Sequence, residues 1–473
     1  MDKGMQAVEA TYSVRDPGLT GGAAQPCTQP TSKRGRPKKL RPPPPALARE
    51  LAIVLGHFFP QLSAWLGDVH DPRQSGRAAF PLKVLLLLGV LMFLSHSGSR
   101  NHFNDSVRDA LEMAKTLARI LGCEVEVLPH LDTLEKVLRF VDPETLEALL
   151  TKLVRRLIRM KALDGWRIGG RFLLAMDGTG LYSFRQRHCE YCLETHHESG
   201  MVTYSHKILV AFIVSSDGYA LPVACDFIEN QGSVYVKQDC EIKAFHRLEP
   251  KLKRLYPQTP FWLLLDGLYA DQNVMRASLL NGWNVAITFK DSDMPALWTE
   301  AQSLLAICPG QVLRITFPKG EGTRELRWVN NLEYEGMKLS AIFQVDMDST
   351  GTIVHSFAHL CCRLIDSRNA LKVAAAARLR WRCENEGFNV LKNGGFALKH
   401  VYSHNPVAGK TYVLLMLIAH LFQQLLARGR LGTVFRAVFH TFLNYGEQLL
   451  EALKSQHLPS NLDPPGQIRL STA

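Results

Sequence analysis

At Arg171 the hydrophobic period of the chain changes, and that change constrains the fold more than any other feature. Upstream, from 46 to about 168, apolar residues recur at three- and four-residue spacing in 47–66, 80–95, 107–121, 132–140 and 143–160. That is the period of amphipathic helices, and strand signals are nearly absent. Downstream, 172–176 is a short apolar run that ends in Asp177-Gly178-Thr179. Residues 207–214 and 219–228 read as a hairpin around Ser216-Asp217-Gly218. A charged helix over 237–255, an apolar run over 261–265 ending in Asp266-Gly267, a helix over 271–280 and a strand over 284–289 follow. The order predicts a mixed α/β sheet with an acid at the end of its first and fourth strands, where ligands gather in such folds.

Residues 313–317, 324–330 and 338–345 alternate like antiparallel strands between Gly- and Asp-containing turns. They read as a β-rich insertion before a long helix that begins near Asn369. Amphipathic helices are expected over 412–426 and 434–454, and a frayed tail after Gln456. The predicted organisation is a basic tail (1–45), an all-α N-terminal domain (46–168), an α/β core (169–310), the β insertion (311–365), core completion with C-terminal helices (366–455) and a tail (456–473).

Length allows about two to four domains. A 46% hydrophobic and 21% charged composition over 473 residues describes a globular chain with a sizeable core. The net charge of +11 points to a polyanionic partner, nucleic acid before membrane. The longest apolar runs, 84–94 and 412–419, fall short of the ~20 residues of a membrane span, so a cytoplasmic, non-membrane protein with reduced cysteines is expected. Within the basic stretch 33–45, Arg34-Gly35-Arg36-Pro37 resembles an AT-hook, whose arginines enter the narrow minor groove of A·T-rich DNA. The alternative is a basic, proline-stiffened linker.

Two clusters carry chemistry. The first is RWRCENEGFNVLK, 380–392, expected on a helix ending near Gly394-Gly395. On a regular helix Arg380, Trp381, Phe388, Leu391 and Lys392 share the face of Glu384, whereas Glu386 lies on the far side with Arg382. An acid on an apolar stripe needs compensation, from a cation or from Arg380 itself. With Asp177 and Asp266, Glu384 makes a set of hard oxygen donors for two Mg²⁺ or Mn²⁺ ions; the plainer reading is that both Asp-Gly pairs start turns. The second cluster is His188-Cys189-x2-Cys192-x3-His196-His197, with His206 close behind. Cys189, Cys192, His196 and His197 have zinc-ligand spacing; reduced thiols with solvated histidines are the alternative.

LLAMDGTG (173–180), LLLDGLYAD (263–271) and RWRCENEGFNVLK, with the β-rich segment before the last of them, resemble the DDE transposases of bacterial insertion sequences. The third motif of that family reads Tyr-x2-Arg-x3-Glu-x6-Lys. Arg380, Trp381 and Glu384 fit; Ala377 stands at the tyrosine position, and Lys392 falls one residue late. Registering on Arg382 selects Glu386 instead, with Leu379 for the tyrosine and Lys392 one residue early. The resemblance implies an RNase H-like core and metal-dependent cleavage and strand transfer at transposon ends. It also implies a homodimer on paired terminal inverted repeats in the bacterial nucleoid. It assigns Asp177, Asp266 and Glu384 to the metals, Arg380, Arg382 and Lys392 to DNA phosphates, and Trp328 to stacking on a flipped base. Two other readings are a non-catalytic, transposase-derived DNA-binding protein and a stand-alone RNase H-like nuclease.

Overall fold

Helices α1 (Leu47–Phe58), α2 (Leu62–Gly67), α3 (Leu82–Leu94), α4 (Arg100–Val107), α5 (Leu111–Leu121), α6 (Leu131–Leu138) and α7 (Pro143–Arg159) open the described part of a computed structural model. The structure describes residues 45–470 apart from 75, 77, 233, 319–320, 460–461 and 463–465, so Arg34 and Arg36 lie outside the described residues. Pro60 breaks the helix expected over 47–66 into α1 and α2, because the residue before a proline is pushed out of helical geometry. At α7, Asp142 accepts from Glu144 N with Pro143 in the first turn, which satisfies one amide and spares another.

The change of period at Arg171 is a change of layer. Strands β1 (Phe172–Phe184), β2 (Leu193–His196), β3 (Val202–Val214) and β4 (Ala220–Ile228) precede α8 (Glu241–Leu255). Then come β5 (Phe261–Leu265), α9 (Gln272–Leu280), β6 (Asn284–Thr288), α10 (Pro295–Ile307), β7 (Val312–Thr316), β8 (Gly322–Tyr334), β9 (Met337–Asp348) and β10 (Ile353–Cys361). All ten strands join one mixed sheet, in the order β2-β3-β1-β5-β6-β10-β9-β8-β7, with β4 on β3. β1 runs antiparallel to β3 and parallel to β5, and β5 runs parallel to β6. Phe172–Met176 are buried, as expected of a strand covered on both faces.

One expectation changes here. The strand that begins at Phe172 does not end at Asp177-Gly178; it continues to Phe184 because β3 pairs with it well beyond Asp177. The β-rich segment also joins the core sheet. A fourth strand, β10, pairs His359 with Thr288 of β6 and so extends the core sheet.

Helices α11 (Ala370–Arg378), α12 (Asn389–Asn393), α13 (Pro406–Gln424), α14 (Thr433–Phe439) and α15 (Phe442–Ser455) close the chain. The single helix expected over 371–392 is interrupted. After α11 the backbone tightens, with Arg380 N bonded to Ala377 O and Cys383 N to Arg380 O, and then widens into a π-helical segment, Cys383–Phe388. Gly387 lets that segment meet the sheet, since a Cβ there would lie 3.1 Å from Phe212 of β3.

Residues 406–430 are long and apolar enough to cross a membrane, which corrects the shorter run expected, but 94% of the segment tested is buried inside the protein. Pro42–Ala473 form one compact unit, so the all-α segment shares its core with the rest: α3 and α7 pack against α13. The described part of the tail is not frayed. Ile468 and Leu470 are buried, and Trp166 Nε1 donates to Leu470 O at 3.2 Å.

Within α13, Gln424 is buried and fully used. Its Nε2 donates to Ala220 O at 3.0 Å, its Oε1 accepts from Ala220 N at 2.9 Å, and it reaches His420 at 2.7 Å and Glu386 O at 3.4 Å. Gln424→Leu leaves both peptide groups of Ala220 without partners, at ~1–3 kcal/mol for each buried group. Urea unfolding is expected to show a loss of at least ~2 kcal/mol; an unchanged midpoint contradicts this account of the α13–β4 contact.

Candidate functional site

Asp177 lies where the two neighbours of β1 part company. Ala175 pairs with Leu264 at the end of the parallel β1–β5 register, while Asp177 still pairs with Val210 of β3. Asp266 is two residues past Leu264 and just beyond the carboxyl end of β5, so the two aspartates occupy the same level, where the parallel pairing of β1 with β5 ends. Asp266 is half-buried and heads a short 3₁₀ turn, Gly267–Tyr269.

Arg380 joins Asp177 to the third acid. Its Nη1 lies 3.0 Å from Glu384 Oε1 and 3.7 Å from Asp177 Oδ2, and its side chain is 9% exposed. The geometry separates the two glutamates. Glu386 pairs with Arg382 at 2.5 Å, and its Oε2 has no hydrogen-bond partner among the described residues. Arg382 also donates to Ser216 O at 3.1 Å. Glu384 therefore faces Asp177, and Glu386 faces away.

A fourth carboxylate completes the cluster. Glu241, in the first turn of α8, accepts from Gly178 N at 3.2 Å and from the Tyr269 hydroxyl at 2.7 Å. Gly178 has to lack a side chain, because a Cβ there would lie 2.2 Å from Glu241 Oε2. Burial, and then the Glu241 charge, push Asp177 up to about 6; Arg380 pulls it down and Glu384 raises it again. Burial lowers Lys392, Lys399 lowers it further, and Asp177 and Glu384 oppose both. Burial, Glu241 and Asp177 raise the Tyr269 phenol. The site holds more negative charge than Arg380 and Lys392 balance. Hard oxygen donors with surplus negative charge suit a divalent metal ion.

Other expected residues fall elsewhere. Trp328 on β8 is 5% exposed, so its ring is not presented to a base. Trp381, which sequence reasoning left without a role, is 52% exposed, with the Arg380 guanidinium 5.5 Å from its ring centre. Arg380 is engaged by the acids and does not reach outward as a phosphate-binding group. His196 and His197 are exposed and do not join the cysteines: His196 lies 3.4 Å from Glu194, and His197 Nε2 lies 2.8 Å from Thr203 Oγ1. Cys189 and Cys192 converge instead with His188 and His206, and among the described residues this is the group of ligand atoms that lies within 4.8 Å. Glu241 was missed because an acid in a helix's first turn is the ordinary partner of the helix dipole.

A family model described as DDE_Tnp_1-associated, a domain found in DDE-type transposase families, matches residues 64–154. The match begins in α2 and ends in α7, within the helical segment that precedes β1. No curated protein matches the chain.

Asp177 binds its proton more tightly in the folded chain than at the ordinary 3.8, so this group's contribution to stability is greatest below about 3.8 and is lost as pH rises to about 6. The loss amounts to roughly 3 kcal/mol. Without divalent metal, Asp177→Asn is expected to raise the unfolding free energy at neutral pH by up to that amount. A variant no more stable than the parent shows the charge to be already compensated. Glu241→Gln removes a like charge, and the titration of Asp177, followed by NMR, is expected to move down towards the ordinary carboxylate range.

Proposed function

We propose that this chain is a DDE-type DNA transposase, cutting double-stranded DNA at the terminal inverted repeats of its element and joining the 3′-OH ends to target DNA. The observation that carries this reading is the pair of aspartates just past the end of the parallel β1–β5 pairing, with Glu384 coupled to the first of them through Arg380. The match of 64–154 to a transposase-associated domain supports it independently. So does the order β4-β3-β1-β5-β6, an antiparallel meander followed by two strands parallel to the first, as in an RNase H-like core.

Asp177, Asp266 and Glu384 would hold two Mg²⁺ or Mn²⁺ ions. When bound, such ions activate a water or 3′-hydroxyl and stabilise the leaving oxygen in phosphoryl transfer. The protein's own part is electrostatic and positional. Arg380 sits between Asp177 and Glu384 and offsets part of the burial that raises Asp177. Glu241, fixed by Tyr269 and Gly178, adds charge behind Asp177 and orients it. Lys392 meets a DNA phosphate near the acids, and Trp381 offers an exposed π face for an unstacked base. The assembly is a homodimer that holds two ends together.

Cleavage of a DNA carrying the element's own ends tests this. Mg²⁺-dependent cutting is expected from the parent chain and from Glu386→Ala, and a loss of at least about a hundredfold from Asp177→Ala, Asp266→Ala and Glu384→Ala, each still binding the ends. Cutting that survives in Glu384→Ala but not in Glu386→Ala would overturn the assignment of the third acid. Metal affinity is expected to fall as pH drops below about 6, because Asp177 takes up its proton there.

A further inference from the structure

The link between β1 and β2 plays no part in that chemistry, yet it gathers four soft or borderline ligands around one point. Cys192 Sγ lies 3.6 Å from Cys189 Sγ, 3.3 Å from His188 Nδ1 and 3.5 Å from His206 Nε2, and Cys189 Sγ lies 3.4 Å from His206 Nε2. Four atoms on a tetrahedron about zinc, at ~2.3 Å for sulfur and ~2.0–2.1 Å for nitrogen, stand roughly 3.4–3.8 Å apart. The observed separations match that spacing. The sulfur–sulfur distance is far beyond the ~2.05 Å of a disulfide, and both cysteines are free.

Hydrogen bonding alone does not account for the cluster. Cys192 is fully buried, and three heteroatoms surround its sulfur, whereas a thiol is only a weak donor and a weak acceptor and seldom gathers so many partners. A cation at the centre accounts for all of these approaches at once, and two thiolates neutralise a divalent charge. The surroundings are built to hold the ligands. Asn230 Nδ2 donates to Cys192 O at 2.8 Å, and Asn230 N donates to Tyr191 O at 3.1 Å. The His188 ring lies 4.1 Å from that of Phe184, and the His206 ring 5.1 Å from that of Tyr182. His206 stands on β3 opposite an irregularity in β1, where the register jumps between Gly180 and Ser183. Bulges of this kind re-aim side chains.

We propose that His188, Cys189, Cys192 and His206 form a structural zinc site, a closed Cys₂His₂ set that staples the β1–β2 link to β3. The site does not depend on the transposase reading. It replaces the ligand set that sequence spacing suggested, because His196 and His197 are held on β2 and in the turn beyond it by Glu194 and Thr203.

The full chain, expressed with zinc and purified without chelator, is expected to carry about one zinc per chain by elemental mass spectrometry. Cobalt exchanged into the same chain should give thiolate charge-transfer and tetrahedral d–d absorption. Cys192→Ser and His206→Gln should reduce the metal to background, whereas the surface variant His196→Ala/His197→Ala should keep all of it. If Cys192→Ser fails to accumulate, the parent's zinc content and cobalt spectrum decide the matter with the surface variant. Background zinc with no cobalt–thiolate band, a Cys189–Cys192 disulfide in fresh protein, or zinc lost from the surface variant would each overturn the proposal.

Discussion

An ionised carboxylate cannot leave a strand buried on both faces without compensation, and much of the candidate site follows from that constraint. Residues 172–176 of β1 are buried, and Asp177 is the first polar side chain after them. The compensation comes from a helix distant in sequence, through a guanidinium that is itself nearly enclosed. Arg380 can be enclosed only because it meets two acids, and Glu384 is held in place only because Arg380 is there. Glu384 is the nearer partner of Arg380 and Asp177 the more distant one, which is why the strand and the helical segment have to be considered together.

The support behind this arrangement is polar as well as apolar. α13 is buried almost all round, yet carries His420, Gln423 and Gln424 inside the core. Gln424 bonds the edge of β4 and also reaches the backbone of Glu386 within the π-helical segment. Burial pushes His420 down to about 3, so it stays neutral and pairs with Gln424. His420 Nδ1 and Gln423 Oε1 have no hydrogen-bond partner among the described residues, so the positional hold comes from Gln424, whose amide is bonded on both sides. It locks the helix bearing Glu384 against the sheet bearing Asp177.

Periodicity made the helices of 46–168, the hairpin of β3 and β4, and the short runs of β5 and β6 legible, because each buries a face with a regular repeat. It did not reveal that β10 returns to β6, since pairing between distant segments leaves no local trace in 353–361. The Asp177-Gly178 pair reads as a turn because Asp-Gly usually is one; here Gly178 is small to admit Glu241 instead. Helical faces separate Glu384 from Glu386, and Arg380 and Arg382 divide between the two acids accordingly. Trp328 is buried on β8 and Trp381 is exposed, a difference that rests on packing between distant segments and not on the neighbours of either residue in the chain. The cluster proposed for zinc was half legible: CxxC is a local pattern, but His206 reaches it from another strand.

A turn that closes five residues back, in place of four, consumes one more residue before a side chain returns to the same face. The backbone between Glu384 and Lys392 passes through such a turn. In a regular helix position 391 would come round to the face of Glu384; here Leu391 is buried, and the charge of Lys392 feels Asp177 and Glu384. The π-helical turn thus lies between Glu384 and the lysine that feels the charge of that acid. A motif defined by fixed spacing therefore passes over this chain, whereas one defined by helical face finds it.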